Sequence, residues 1–114
     1  MIVTGVETIR HPDYANILWV RIETDQGLVG LGETFRGAAA VEAQIHGEIA
    51  PRLLGADPSR IEAINAELAR PYVGYRSSGA ELRAASAIDI ALWDLAGKAT
   101  GRPLHDLVGG LMRP

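Results

Sequence analysis

The stretch Ser86–Gly110, SAIDIALWDLAGKATGRPLHDLVGG, constrains this chain more than any other. It begins as a helix with little polar surface, stops at Gly101, and restarts for one short turn before Gly109 and Gly110. A helix apolar on nearly all sides must be covered on nearly all sides. Over the fuller span Gly79–Thr100, Leu82, Ala85, Leu92, Ala96 and Ala99 line one side, with Asp89 interrupting the row. Ile88, Ala91 and Leu95 line a second side, and Ile90 and Trp93 widen the apolar arc. The small residues from Ala84 to Ala87, with Ala91 and Ala96, let neighbouring elements approach closely. Asp94 and Lys98 are spaced for an i,i+4 ion pair. Gly101 suits the residue just past a helix end, and Pro103 prevents resumption. Asp89 sits in a mostly apolar arc and needs a partner, because a buried unpaired carboxylate is costly.

The residues ahead of this helix predict a small antiparallel sheet. Ile2–Arg10 alternates loosely and reads as a strand that His11–Asn16, with Pro12, breaks. Ile17–Thr24 is the clearest strand, with Leu18, Val20 and Ile22 on one face and Ile17, Trp19, Arg21 and Glu23 on a wetter one. Asp25-Gln26-Gly27 supplies a tight turn, and Leu28–Phe35 returns as a third strand. Gly30 and Gly32 within it signal a bulge or a close backbone approach. Helices follow at Ala38–Ile49, which Pro51 ends or kinks, and from Asp57-Pro58, where the carboxylate suits a helix cap. Ile61, Ile64 and Leu68 stripe that second helix, Arg70-Pro71 stops it, and Tyr72–Ser78 forms a loop into the long helix. The expected class is α+β: a three-stranded antiparallel meander followed by a helical bundle.

Composition narrows the partners. With 114 residues, 47% of them hydrophobic, the chain has material for one domain with a real core. A net charge of -3 gives no footprint for nucleic acid or an anionic membrane surface. There are no cysteines, which excludes disulfides and thiolate chemistry. The N-terminus lacks the pattern of a secretory signal, and no apolar run approaches the ~20 residues that span a bilayer. A cytoplasmic location is expected.

Motifs for chemistry are scarce. Gly27–Phe35 superficially resembles a dinucleotide fingerprint, but Phe35 occupies the place of the third glycine. His11, His46 and His105 lack ligand spacing. Asp89 and Asp94, five residues apart, fall on different sides of a helix and are poor candidates for a shared metal or an acid/base dyad. What remains is two loops at one end of the meander, His11–Asn16 and Thr34–Ala38, because the ends of the first and third strands point the same way. They carry Tyr14, Phe35 and Arg36, an aromatic pair with a guanidinium able to grip a carboxylate bidentately.

The block Ser86–Lys98, SAIDIALWDLAGK, followed by Gly101-Arg102-Pro103-Leu104 and Leu107-Val108-Gly109-Gly110, closely resembles the enolase superfamily. The match is to the end of the N-terminal capping domain of its mandelate racemase and muconate lactonizing enzyme branch. Gly30-Leu31-Gly32-Glu33, and Ile49–Gly55 with Asp57-Pro58, extend the resemblance over the whole chain. It implies a cap over residues 1–110, with residues 111–114 starting the link into a TIM-like barrel, whose ~250 residues this chain lacks. It also implies Mg²⁺ held by barrel carboxylates, removal of a proton α to a substrate carboxylate, barrel lysines or histidines as acid and base, and homo-oligomers. Cap loops in such enzymes close the barrel mouth, which makes Tyr14, Phe35 and Arg36 the expected substrate-binding loop residues. No residue here matches a family metal ligand or proton-transfer residue. The expected parent is a Mg²⁺-dependent acid-sugar dehydratase acting on a small carboxylate, with a racemase, epimerase or cycloisomerase as the near alternative. An alternative of another class is a non-catalytic module docking through its long helix. The barrel is expected to cover the helix face around Ile88, Leu92 and Leu95, leaving that face an exposed apolar patch in this chain alone.

Overall fold

A computed structural model describes residues 1–69 and 79–114. The expected stop at Arg70-Pro71 and the loop Tyr72–Ser78 lie outside the described residues. Three strands, β1 (Val3–Ile9), β2 (Ile17–Thr24) and β3 (Val29–Phe35), form an antiparallel sheet in the order β1-β2-β3. Alternation built β2 as read: Leu18, Val20 and Ile22 are fully buried, while Trp19, Arg21 and Glu23 face outward. A register shift falls between Val3 and Gly5 in β1, whereas β2 and β3 pair without interruption from Ile17↔Phe35 to Glu23↔Val29. Gly30 and Gly32 therefore mark a close approach and not a bulge.

What approaches them is the long helix. The remaining elements are α1 (Ala38–Gln44), a π-helical turn (Ile45–Ile49), α2 (Ala50–Leu53), α3 (Ile61–Ala69), α4 (Ala80–Thr100) and α5 (Leu104–Leu107). A Cβ on Gly32 would fall on the carbonyl oxygen of Ala87, and one on Gly30 on that of Ala91 and within 2.6 Å of Leu95 Cγ. Alanines on α4 and glycines on β3 thus bring two backbones together where larger side chains would hold them apart. Asp94 and Lys98 complete the attachment. They form the expected pair at 2.7 Å; Asp94 Oδ2 also accepts from Leu31 N at 2.8 Å, and Lys98 Nζ donates to Val29 O at 2.7 Å.

The buried stripe of α4, Ala84, Ala87, Ile88, Ala91, Leu92 and Leu95, lies between the sheet and the other helices. This corrects the expectation of an exposed face at Ile88, Leu92 and Leu95, which are 0–1% exposed. The sheet covers one side of the stripe while α1 and α3 cover the next, so the chain closes its own core. The large apolar residues left outward on this helix are Leu82 and Ile90. Asp89 has the partner its setting demands, accepting from Asn65 Nδ2 at 2.7 Å. Replacing Asn65 with Ala should cost about 1–3 kcal/mol by leaving a part-buried carboxylate unpaired; equal urea midpoints for variant and parent would contradict this.

One helix boundary differs from expectation, and another is decided between two. Of the end or kink expected at Pro51 there is no end, and the helix that starts at Ala38 runs on to Leu53 through the π-helical turn. Pro51 has no N–H for the ladder, and the turn before it widens so that Ala50 N donates to Ile45 O, five residues back. Asp57 caps no helix: its Oδ1 accepts from Ser59 N at 2.9 Å and Ser59 Oγ at 2.7 Å, closing a local turn, and α3 begins later at Ile61. The Ser59 hydroxyl holds the Asp57 carboxyl below its ordinary value. Among the described residues no helix is long and apolar enough to cross a membrane.

Candidate functional site

The two loops carrying Tyr14, Phe35 and Arg36 meet at one end of the sheet. In the first, Pro12–Tyr14 forms a single 3₁₀ turn, with Tyr14 N donating to His11 O at 3.0 Å and Asp13 N donating to His11 Nδ1 at 3.1 Å. The second loop leaves β3 through two consecutive left-handed residues, Arg36 (φ 69°) and Gly37 (φ 58°), before α1 starts. Arg36 is the one non-glycine residue with positive φ among the described residues. Its backbone N donates to Asn16 O at 2.8 Å, which joins the loops directly. A bulky residue in this conformation stores strain of about 1–3 kcal/mol and persists only where surrounding contacts impose it.

The side chains divide by face. Tyr14 is 56% exposed and Phe35 62%. Phe35 stands opposite Ile17 on the outer face of the sheet, away from α4. Tyr14 packs at the corner of that face: its ring lies 5.5 Å from His11 and meets Trp19 edge-on at 6.5 Å. Trp19 in turn donates from Nε1 to Glu33 Oε2 at 2.9 Å. The structure therefore joins the loops through backbone and ties Tyr14 to His11 and Trp19. Among the described residues no hydrogen bond, ion pair or ring contact links the side chains of Tyr14, Phe35 and Arg36 to one another, and they rim an open edge.

The sequence places Asn16 in the first of these loops without marking its role, and it does not mark Trp19 and Glu33 as part of this end. The pairing Trp19↔Glu33 follows from the tight turn at Asp25–Gly27, which fixes the β2–β3 register. Asn16 acts through its carbonyl, and a backbone role leaves no mark on residue type. The histidines stay apart, as their spacing requires. His46 Nε2 lies 2.7 Å from Thr8 Oγ1, which donates to Glu42 Oε2 at 2.8 Å, while His105 lies 3.4 Å from Asp106. Among the described residues no three His, Asp or Glu side chains converge to hold a metal ion.

Known proteins of this shape are numerous. The family model described as mandelate racemase / muconate lactonizing enzyme, N-terminal domain, matches residues 2–109. The D-galactonate dehydratase of Verminephrobacter eiseniae is 42% identical over 115 residues, covering 99% of this chain and 29% of the relative. A crystal structure of an enolase of the mandelate racemase subgroup from Agrobacterium tumefaciens superposes with a TM-score of 0.94 at 51% identity, over 99% of this chain and 31% of that one. An enolase from Pantoea ananatis, with bound D-gluconate and Mg, superposes with a TM-score of 0.89 at 40% identity, over 98% and 28%. The chain thus spans less than a third of each of these proteins.

Proposed function

The chain belongs to the mandelate racemase / muconate lactonizing enzyme family as its N-terminal domain, and from that premise we propose that it is the substrate-capping part of an acid-sugar dehydratase. The observation that carries this reading is the joining of the two loops by Arg36 N and Asn16 O, at the end of a sheet locked to α4. Such a platform holds polar and aromatic groups over chemistry performed elsewhere. Similarity to D-galactonate dehydratases, and to a relative binding D-gluconate and Mg, supports a polyhydroxylated carboxylate as substrate and Mg²⁺ as cofactor.

This chain's own part is binding and enclosure. Arg36 offers guanidinium donors to a carboxylate or hydroxyl, Tyr14 offers a phenol, and the Phe35 ring displaces water from the mouth. The described residues do not fit the metal, since none of them converge as a ligand set. Mg²⁺ and the groups that move the proton would belong to a barrel beyond residue 114. The test is Mg²⁺-dependent dehydration of a panel of sugar acids by the full-length enzyme, read as formation of the 2-keto-3-deoxy acid. The expected result is turnover of at least one aldonate. Racemisation or cycloisomerisation of another acid, with no dehydration, would sink the reading.

A further inference from the structure

One cation at the loop-bearing end of α4 has no anion among the described residues. Arg83 Nε is sealed from solvent and has no hydrogen-bond partner among the described residues. Among the described residues the other half-buried arginine, Arg21, is held by Glu7 at 2.6 Å and Glu23 at 3.5 Å. Arg36, Arg60 and Arg113 are exposed, so water serves them. Gly30 packs on Ala91 and Gly32 on Ala87, so α4 runs opposite to β3. One turn back from Ala87, Arg83 lies level with Thr34, where β3 feeds the loop carrying Phe35 and Arg36. Leu82 (51% exposed) precedes it, and Ile90 (46%) lies seven residues on, along nearly the same line of the helix. Exposed Ser86 lies between Arg83 and Ile90, so this surface sets one guanidinium and one hydroxyl between two large apolar side chains.

We propose that Arg83 is the docking cation of this domain: flanked by Leu82 and Ile90, it receives an aspartate or glutamate of the C-terminal barrel, beyond residue 114. The ion pair fixes the loop-bearing end of the cap over the barrel mouth. The proposal rests on reading the chain as the cap of a longer enzyme, and relatives of which this chain covers 29% leave ample sequence to supply the carboxylate. A resident partner fits better than a substrate. Arg83 is half-buried, and although its sealed Nε is out of reach, a carboxylate held at the rest of the guanidinium offsets the cost of burying the charge for as long as it stays. The apolar neighbours likewise suit protein surface better than a hydroxylated ligand.

The test uses the full-length enzyme. In the R83K variant, a zero-length carbodiimide should join position 83 to an acidic residue beyond 114, identified by peptide mass spectrometry. A link only to residues within 1–114, or none in the folded variant, overturns the proposal. R83Q should lower kcat/KM by roughly tenfold or more, and by a similar factor on every acid turned over, because misplacing the cap harms all substrates. It should also add a separate, earlier cap transition in scanning calorimetry. A loss confined to one substrate with unchanged calorimetry would make Arg83 a substrate ligand and overturn docking. The cross-link and the calorimetry need no turnover, so a wrong substrate class leaves them standing.

Discussion

Gly32→Ala is expected to unfold this domain or leave it barely folded, at a cost of about 4 kcal/mol. The added methyl would meet the Ala87 carbonyl oxygen, which belongs to helix backbone and cannot swing aside as a side chain would. A whole domain of this size holds only about 5–15 kcal/mol of stability, so one methyl removes a large share of it. Relief requires α4 to lift from β3, which would also pull Asp94 and Lys98 off Leu31 N and Val29 O. Gly47→Ala is the control. Its Cβ meets nothing within 4 Å and its φ is not positive, so stability should hold or rise by about 0.4–1 kcal/mol. Urea unfolding of both variants decides the matter. Equal midpoints for parent and Gly32→Ala would mean that the helix can slide along the strand without loss.

Changing Arg36 should separate stability from activity. Arg36→Gly removes the side chain and the left-handed strain together, so thermal stability should rise by an amount worth about 1 kcal/mol. In the full-length enzyme the same variant should lose about 10–100-fold in kcat/KM, to a degree that depends on the acid, with Mg²⁺ affinity nearly unchanged. Arg36→Ala keeps the strained backbone and loses the guanidinium, so it should match the glycine variant in kinetics without its gain in stability. Kinetics equal to the parent in both variants would remove Arg36 from the site.

Much of this arrangement was legible where residue type dictates geometry. β2 has the expected bounds because its alternation leaves one register with Leu18, Val20 and Ile22 inside. Asp89 needed a partner and has Asn65. Gly101 ends α4 in the left-handed conformation that glycine tolerates best. The loops carrying Tyr14, Phe35 and Arg36 meet because an antiparallel meander sends both to one end. What sequence left hidden depends on three-dimensional neighbours. Helix periodicity leaves the face with Ile88, Leu92 and Leu95 to an outside partner, because it does not say that sheet and helices both wrap the stripe. At Pro51 residue type leaves an end and a kink both open, since one-dimensional rules do not foresee a widened turn that spares the missing N–H. Asp57 resembles a helix cap in type, yet Ser59 captures it first.

The attachment of Asp94 and Lys98 to β3 has a consequence for the newborn chain. As an edge strand, β3 would otherwise present open peptide groups to any other extended chain. An N-terminal domain emerges from the ribosome before the segments that follow it, often beside copies of itself on the same message. With Leu31 N and Val29 O already occupied by its own helix, β3 offers a second nascent molecule fewer vacant positions for intermolecular strand pairing.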